Sequence, residues 1–478
     1  MLSMEMEILF DFHHHVVWGI PNCKKLVQQR RLHLPLLLLL IITFSAGCIV
    51  NRAVSLTETE DQVVKRFQSY LQIDTSHPDP DYTAVTKFLI QQGEQIGLHV
   101  RVMEFTPKKP VVLLTWKGTD PSLPSVVLNS HTDVVPAEHS KWVHSPFGAH
   151  MDEEGKIFAR GSQDMKCVGM QYLEAIRNLK ATGFKPTRSI HVVYVPDEEI
   201  FGEDGAKKFV QSEEFKELDV AFVLDEGAPS TQDEYRVFYG EKMPWPFVVK
   251  ATGSPAHGSR MLDGMALQNL RETLNKIDEF RTVQFDKVKS GEAVQEEVIS
   301  ITNVFLNAGT ATPTGFVMNM QPSEAEAGFD MRVPPSADTD HLEKLVVQDW
   351  APASRNMTVR FIQKRDVKNK FGQPAVTVAD DTNPWWTRLK VGVANAGGNL
   401  GEPQILFGCT DAQFIRFEGI PAFGFSPMAN TPILLHGHNE FLHVTEYLKG
   451  ITVYEEIIKS FTGPDFEMHK ADSDSSST

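Results

Sequence analysis

The chain has 478 residues, 41% of them apolar and 23% charged, the proportions of a folded protein large enough to bury an extended core without disulfide staples. Its formal net charge of −16 argues against nucleic acid as a partner. Of the four cysteines, Cys23 and Cys48 lie in or beside an N-terminal leader, so the body keeps only Cys167 and Cys409, two distant residues that read as reduced thiols.

Residues 1–54 read as that leader. Lys24, Lys25, Arg30 and Arg31 precede an apolar run from Leu34 to Phe44, and the small residues Ser45, Ala46 and Gly47 follow. The run is shorter than the about 20 residues of a spanning helix. A cleaved signal peptide is therefore expected, with an uncleaved signal anchor as the alternative if the run extends to Val50. Membrane association follows only from the anchor. The expected location is the secretory pathway, in the endoplasmic reticulum lumen or outside the cell. It becomes cytoplasmic if the leader is an artefact of start-site choice. The sequon Asn356-Met357-Thr358 is usable only in the secretory case.

From Ser55 onward, helical spacing predicts Glu58–Leu71 and Tyr82–Ile96 as helices, the second stopped by Gly97. Strands are expected at Val100–Phe105, Val111–Trp116, Val126–Leu128, Ile190–Val195 and Ala221–Leu224. Helices are expected at Asp164–Leu179 and from Ala206. This alternation predicts an α/β layered catalytic domain with a central mixed sheet, over residues 55–244. From 245 to 363 the pattern becomes that of a smaller α+β insert, with a helix at Met265–Phe280 and a polar loop at Lys287–Gln295. The α/β pattern resumes over 364–465, with helices at Trp385–Ala396 and Val444–Phe461 and a strand at Ala422–Phe425. Residues 466–478 read as a disordered tail.

Metal-capable side chains fall just after buried strands or at a helix mouth, where sites form in open α/β sheets. They are His131, Asp164, the pair Glu198-Glu199, and Glu226. His131 follows a strand, and Asp133 is placed to accept its second ring N–H. Adjacent carboxylates repel unless a cation or proton compensates. The tract His436-Gly437-His438-Asn439-Glu440 adds late histidines. Each feature has an ordinary structural explanation alone. Together they form a mixed nitrogen and oxygen set that suits zinc, or cobalt or manganese.

Three blocks carry a resemblance: His131-Thr132-Asp133-Val134-Val135-Pro136, Ala159 to Lys166, and Val195-Pro196-Asp197-Glu198-Glu199. The chain resembles the aminoacylase-type zinc metallopeptidases, a group that includes carboxypeptidase G and the succinyl-diaminopimelate desuccinylases, over Leu56 to Phe461. Leu224-Asp225-Glu226-Gly227, Ser426-Pro427-Met428 and Leu434-Leu435-His436 resemble the aminoacylase branch. The resemblance implies two zinc ions per subunit, one held by His131, Asp164 and Glu226 and the other by Asp164, Glu199 and His436. It implies Glu198 as general base, Asp133 as the residue orienting His131, and His257 in Gly253 to Ser259 as an oxyanion donor. It implies Asn319 and Arg332 as substrate-binding residues, and a lid insert that forms a homodimer.

The implied activity is hydrolysis of N-acyl-L-amino acids. A dipeptidase, a deacylase of other amino-acid conjugates, and a non-catalytic relative are the alternatives. Two positions depart from the pattern. Gln413 stands where relatives commonly carry an arginine suited to a substrate carboxylate, with Arg416 nearby. Gly437 stands where they often carry an acidic residue.

Overall fold

The computed structural model describes residues 55–464. The expectations for the leader and the tail lie outside the described residues. Helix α1 (Glu58–Leu71) opens on a reciprocal cap between Thr57 and Glu60 and buries Val63, Val64, Phe67, Tyr70 and Leu71. Helix α2 (Tyr82–Ile96) starts on the Asp81 side chain and ends at Gly97 with φ 72°, a conformation glycine adopts without strain.

An eight-stranded mixed sheet forms the first layer. Its strands are β1 (His99–Thr106), β2 (Lys109–Trp116), β3 (Ser125–His131), β4 (Ile190–Val195), β5 (Val220–Asp225), β6 (Tyr235–Glu241), β11 (Leu400–Leu406) and β12 (Ala422–Phe425), in spatial order β1-β2-β4-β3-β5-β12-β6-β11. The four at the centre, β4, β3, β5 and β12, run parallel. Strands β3 and β4 are buried at every residue, which is why Val126–Leu128 and Val192–Val195 within them run apolar rather than alternate.

Successive side chains leave a strand on opposite faces. Val127, Val193, Val195 and Val223 pack with Phe209, Val210, Phe414 and Ile415 of the short helices Ala206–Val210 and Ala412–Phe417. On the other face the Tyr194 hydroxyl donates to the Gly169 carbonyl of helix α3 (Lys166–Ala181). Helices therefore cover both faces.

Between β6 and β11 the chain builds a second, antiparallel sheet. It comprises β7 (Phe247–Thr252), β8 (Ser300–Ala308), β9 (Glu324–Val333) and β10 (Met357–Phe361), in order β8-β9-β7-β10, with the short strand Met243–Pro244 pairing the end of β9. Helix α4 (Ala266–Ser290) packs on one face through Leu270 and Ile277, against Phe247, Val249 and Phe329. This helix runs ten residues beyond the predicted Phe280 and replaces the start of the expected polar loop. Val283 and Phe285 are exposed, so the extension shows no core-facing periodicity in sequence. It stops at Gly291, φ 77°. Helices α5 (Pro384–Asn395) and α6 (Val444–Thr462) complete the first layer. Among the described residues no helix is long and apolar enough to cross a membrane.

Candidate active site

Strands β4, β3 and β5 are hydrogen-bonded neighbours whose carboxyl ends come level. The register pairs His131 with Val195 and Leu128 with Leu224. His131 is the last residue of β3, Glu198 and Glu199 open the turn after β4, and Glu226 follows β5 directly. Strand spacing of about 4.8 Å sets how closely these side chains gather.

Asp164 enters from the side, in the turn before α3. The helix begins at Lys166, two residues later than predicted, so Asp164 is not a helix cap and its carboxylate is free to face the strand ends. Its Oδ1 lies 3.1 Å from His131 Nε2 and its Oδ2 lies 3.2 Å from His436 Nε2. Each carboxylate oxygen thus faces a different histidine. His436 Nε2 is also 3.1 Å from Glu199 Oε2, and His131 Nε2 is 3.6 Å from Glu226 Oε2. Donor atoms of His131, Glu198 and Glu226 lie within 4.8 Å of one another, as do those of His131, Asp164 and Glu199. All five residues expected to bind metal meet here, and Glu198 lies among them.

The cluster is too negative to stand unaided. Burial, and then the charge of Glu226, push the Glu198 carboxyl well above its ordinary range. Burial and Asp164 raise Glu199, and burial followed by Asp164 raises Glu226 against the pull of His131. Bonds to Asp164 and Glu199 hold His436 protonated up to about 10. Glu199 Oε1 is buried with no hydrogen-bond partner. An unpaired buried anion is costly, and divalent cations bound by mixed nitrogen and oxygen donors relieve that cost. The residues present fit such a pair of ions.

Asp133 acts differently from the sequence expectation. Its main-chain carbonyl, 2.9 Å away, meets His131 Nδ1, while its carboxylate lies 3.6 Å from that atom. Because β3 ends at His131, the chain turns and brings the carbonyl, rather than the side chain, back to the ring. The Asp133 carboxylate instead accepts the backbone N–H groups of Glu198 and Glu199 and meets His77 Nε2 at 2.8 Å. Burial raises this carboxyl, but its attraction to the nearby His131 ring and its contact with His77 outweigh burial and hold it at about 2. Asp133 therefore fixes the turn that carries the paired glutamates.

Two further groups escaped sequence reasoning. Asp411 is buried, with Oδ2 unpartnered, and its charge bears on Glu198. Glu440 is fully buried and accepts from Arg160 and from the backbone N–H of Gln163, each at 2.7 Å. A lone Asp411 before a short helix carries no signal of its own, and for Glu440 the only signal was its place in the His-rich tract.

Gln413 is buried and faces Arg365, whose Nη1 donates to its Oε1 at 2.6 Å. Arg416 does not take over the missing arginine's task. It is buried against Glu241 and donates to the carbonyls of Ala422 and Phe238.

In the insert, the short strands Ala256–His257 and Met320–Gln321 pair, and the Gly258 N–H donates to the Asn319 carbonyl, so His257 and Asn319 share one exposed ribbon. Among the described residues no hydrogen bond joins His257 to the carboxylate cluster; its Nδ1 meets Ser259 Oγ at 2.8 Å. Arg332 lies on β9 and donates to Asp330. Burial and Glu241 push the Cys409 thiol up to about 11, while Arg365 and Arg332 oppose the rise, so both guanidiniums lie within electrostatic reach of the segment preceding Asp411.

Carboxylates and histidines gathered at strand ends, with a charge excess that cations relieve, define a candidate metal centre, and the family and relatives of the chain make it that of a metal-dependent amidohydrolase. The chain belongs to peptidase family M20/M25/M40, which it matches over residues 127–460. Within that family it is of the aminoacylase type. It is 42% identical to aminoacylase-1 of Homo sapiens over 402 residues, covering 84% of this chain and 95% of that one. It is 41% identical to aminoacylase-1 of Dictyostelium discoideum over 406 residues, covering 84% and 97%.

Solved structures share the fold. A metallo-carboxypeptidase from Sulfolobus solfataricus matches with TM-score 0.63 at 17% identity, covering 84% of this chain and 99% of that one. A dinuclear metal-binding peptidase from Bacillus subtilis matches with TM-score 0.58 at 13% identity, covering 84% and 97%.

Proposed function

We propose that this protein hydrolyses the amide bond of N-acyl-L-amino acids with a pair of zinc ions, cobalt or manganese being the other cations its donors suit. The likeness to aminoacylases supports the substrate class. The observation that carries the two-ion reading is Asp164, whose two oxygens face His131 and His436 separately. His131 and Glu226 would hold one ion, Glu199 and His436 the other, with Asp164 between them. When bound, such ions polarise the scissile carbonyl and make water easier to deprotonate.

Glu198 is the general base. Burial and Glu226 raise its basicity above that of an ordinary carboxylate, and Asp133 fixes its backbone. It takes a proton from the attacking water and passes it to the leaving nitrogen as the carbon–nitrogen bond breaks, leaving a carboxylate and a free amino acid. His257 donates to the developing oxyanion, and Asn319 and Arg332 bind substrate as the insert closes as a lid. The insert also forms a homodimer: β8 is a sheet edge exposing Val304, Phe305 and Leu306, the kind of edge that a partner covers.

The test is release of methionine from N-acetyl-L-methionine by the full chain, before and after chelation and after zinc is returned. Zinc-restored release supports the reading. No release from protein carrying two zinc ions would overturn the substrate class and direct the search to dipeptides or other acyl conjugates.

A further inference from the structure

Two loops that are far apart in sequence hold each other by their side chains. One, Arg160 to Asp164, carries the carboxylate that faces both histidines. The other, Pro432 to Phe441, carries His436. Glu440 of the second loop is fully buried and reads the backbone of the first. Its Oε1 accepts the N–H of Gln163 at 2.7 Å and, more weakly, the Ser162 hydroxyl and Asp164 N–H, each at 3.4 Å. Its Oε2 accepts Arg160 Nη1 at 2.7 Å and Gly161 N–H at 3.3 Å. Gly161 has φ 85°, and a Cβ there would lie 3.0 Å from a Val134 methyl, so the loop's close curl requires glycine.

Gln163 of the first loop reads the backbone of the second in return. Its Nε2 donates to the carbonyls of Pro432, at 3.0 Å, and Phe441, at 2.7 Å, and its Oε1 accepts Leu434 N–H at 3.0 Å. Arg160 Nη2 adds a donation to the carbonyl of His436 itself at 3.3 Å. These contacts contrast with the exposure of what they support. The His436 side chain is 56% exposed and its backbone sits at φ 61°, where a non-glycine residue is strained. Among the described residues its ring meets only Asp164 and Glu199, whereas His131 is buried at the end of a strand.

We infer that Gln163 and Glu440 form a reciprocal clamp that positions His436 against Asp164 and so sets the affinity of the second of the two proposed cation positions, leaving the first to the strand ends. The inference rests on the two-ion reading above. Both are positioning residues; neither reaches substrate. Partners of this kind, which orient a ligand through its backbone, typically govern metal affinity by about 10- to 100-fold.

The experiment uses the full chain and zinc itself, with a chromophoric chelator as competitor, and reads stoichiometry and the two affinities separately. Glu440→Gln keeps the shape and removes the charge. Gln163→Leu keeps the bulk and removes three hydrogen bonds from the opposite loop without leaving a buried charge, so it stands as the second variant should the first fail to fold. Each is expected to retain one tight ion and to weaken the other by about 10- to 100-fold. Raising free zinc should restore kcat with KM unchanged, a rescue that general damage to the fold would not show. The double variant should be no worse than the more damaged single one, because the two residues act as a unit.

Equal binding of both ions by the wild-type protein and both variants overturns the inference, as does equal weakening of both positions. Wild-type protein that binds fewer than two ions overturns the two-ion reading itself, and this inference with it.

Discussion

The catalytic centre and the insert's ribbon hold their polar groups in opposite ways. At the strand ends, His131 and Asp133 are buried and tied to backbone atoms on neighbouring strands and turns. On the ribbon, His257 and Asn319 are exposed and their nearest partners are local. The centre is built to hold charge that would otherwise repel, and that requires many fixed contacts. The ribbon is built to meet something that arrives from solution, and that requires freedom. The buried groups are anchored by the sheet, and the ribbon's groups are left open to solvent.

That contrast yields four predictions. The largest effect belongs to the centre. Glu198→Gln should lower kcat by about 10²- to 10⁴-fold with both ions retained. Measuring kcat beside metal content checks it, and loss of an ion would reassign Glu198 as a ligand. His257→Ala should lower kcat by about 10²- to 10³-fold with little change in KM. Steady-state kinetics decide it, and an unchanged kcat would leave the ribbon without a role in the reaction.

Third, metal uptake at neutral pH should release protons. His436, raised to about 10, is protonated there without metal, and burial and mutual repulsion shift Glu198 and Glu226 in the same direction, toward the protonated form. Zinc affinity should therefore fall as pH drops from 8 to 6. Calorimetric titration in two buffers of different ionisation enthalpy counts the protons, and buffer-independent heats would contradict the charge pattern. The smallest effect is on assembly. If β8 forms the proposed homodimer edge, Phe305→Lys there should shift sedimentation from dimer to monomer, and a wild-type protein that sediments as a monomer would overturn that proposal.

Much of the centre was legible in sequence because buried parallel strands are apolar runs, and a charged residue directly after one must face the sheet's end. His131, Glu198, Glu199 and Glu226 were found in this way. What escaped had no such marker. Glu440 and Asp411 are buried carboxylates in loops, and in sequence each looks like a residue of a solvated turn. The role of Asp133 was misassigned between side chain and carbonyl, a distinction that depends on where β3 ends. Strand β6 lies between the last predicted strand of the first segment and the insert, β11 lies just after a predicted helix, and neither was predicted; the exposed end of α4 carries no core-facing period.

The insert interrupts the layer that holds the centre, and this orders events during synthesis. A chain made from its amino end exposes His131, Asp164, Glu199 and Glu226 before the second sheet exists, and His436 only after that sheet is complete. On the two-ion reading, a nascent protein carries the ligands of one cation well before those of the other. Loading of the second cation is then a late maturation step, and a chain cut short between β12 and His436 would carry every strand of its sheet and still lack a ligand of the second cation.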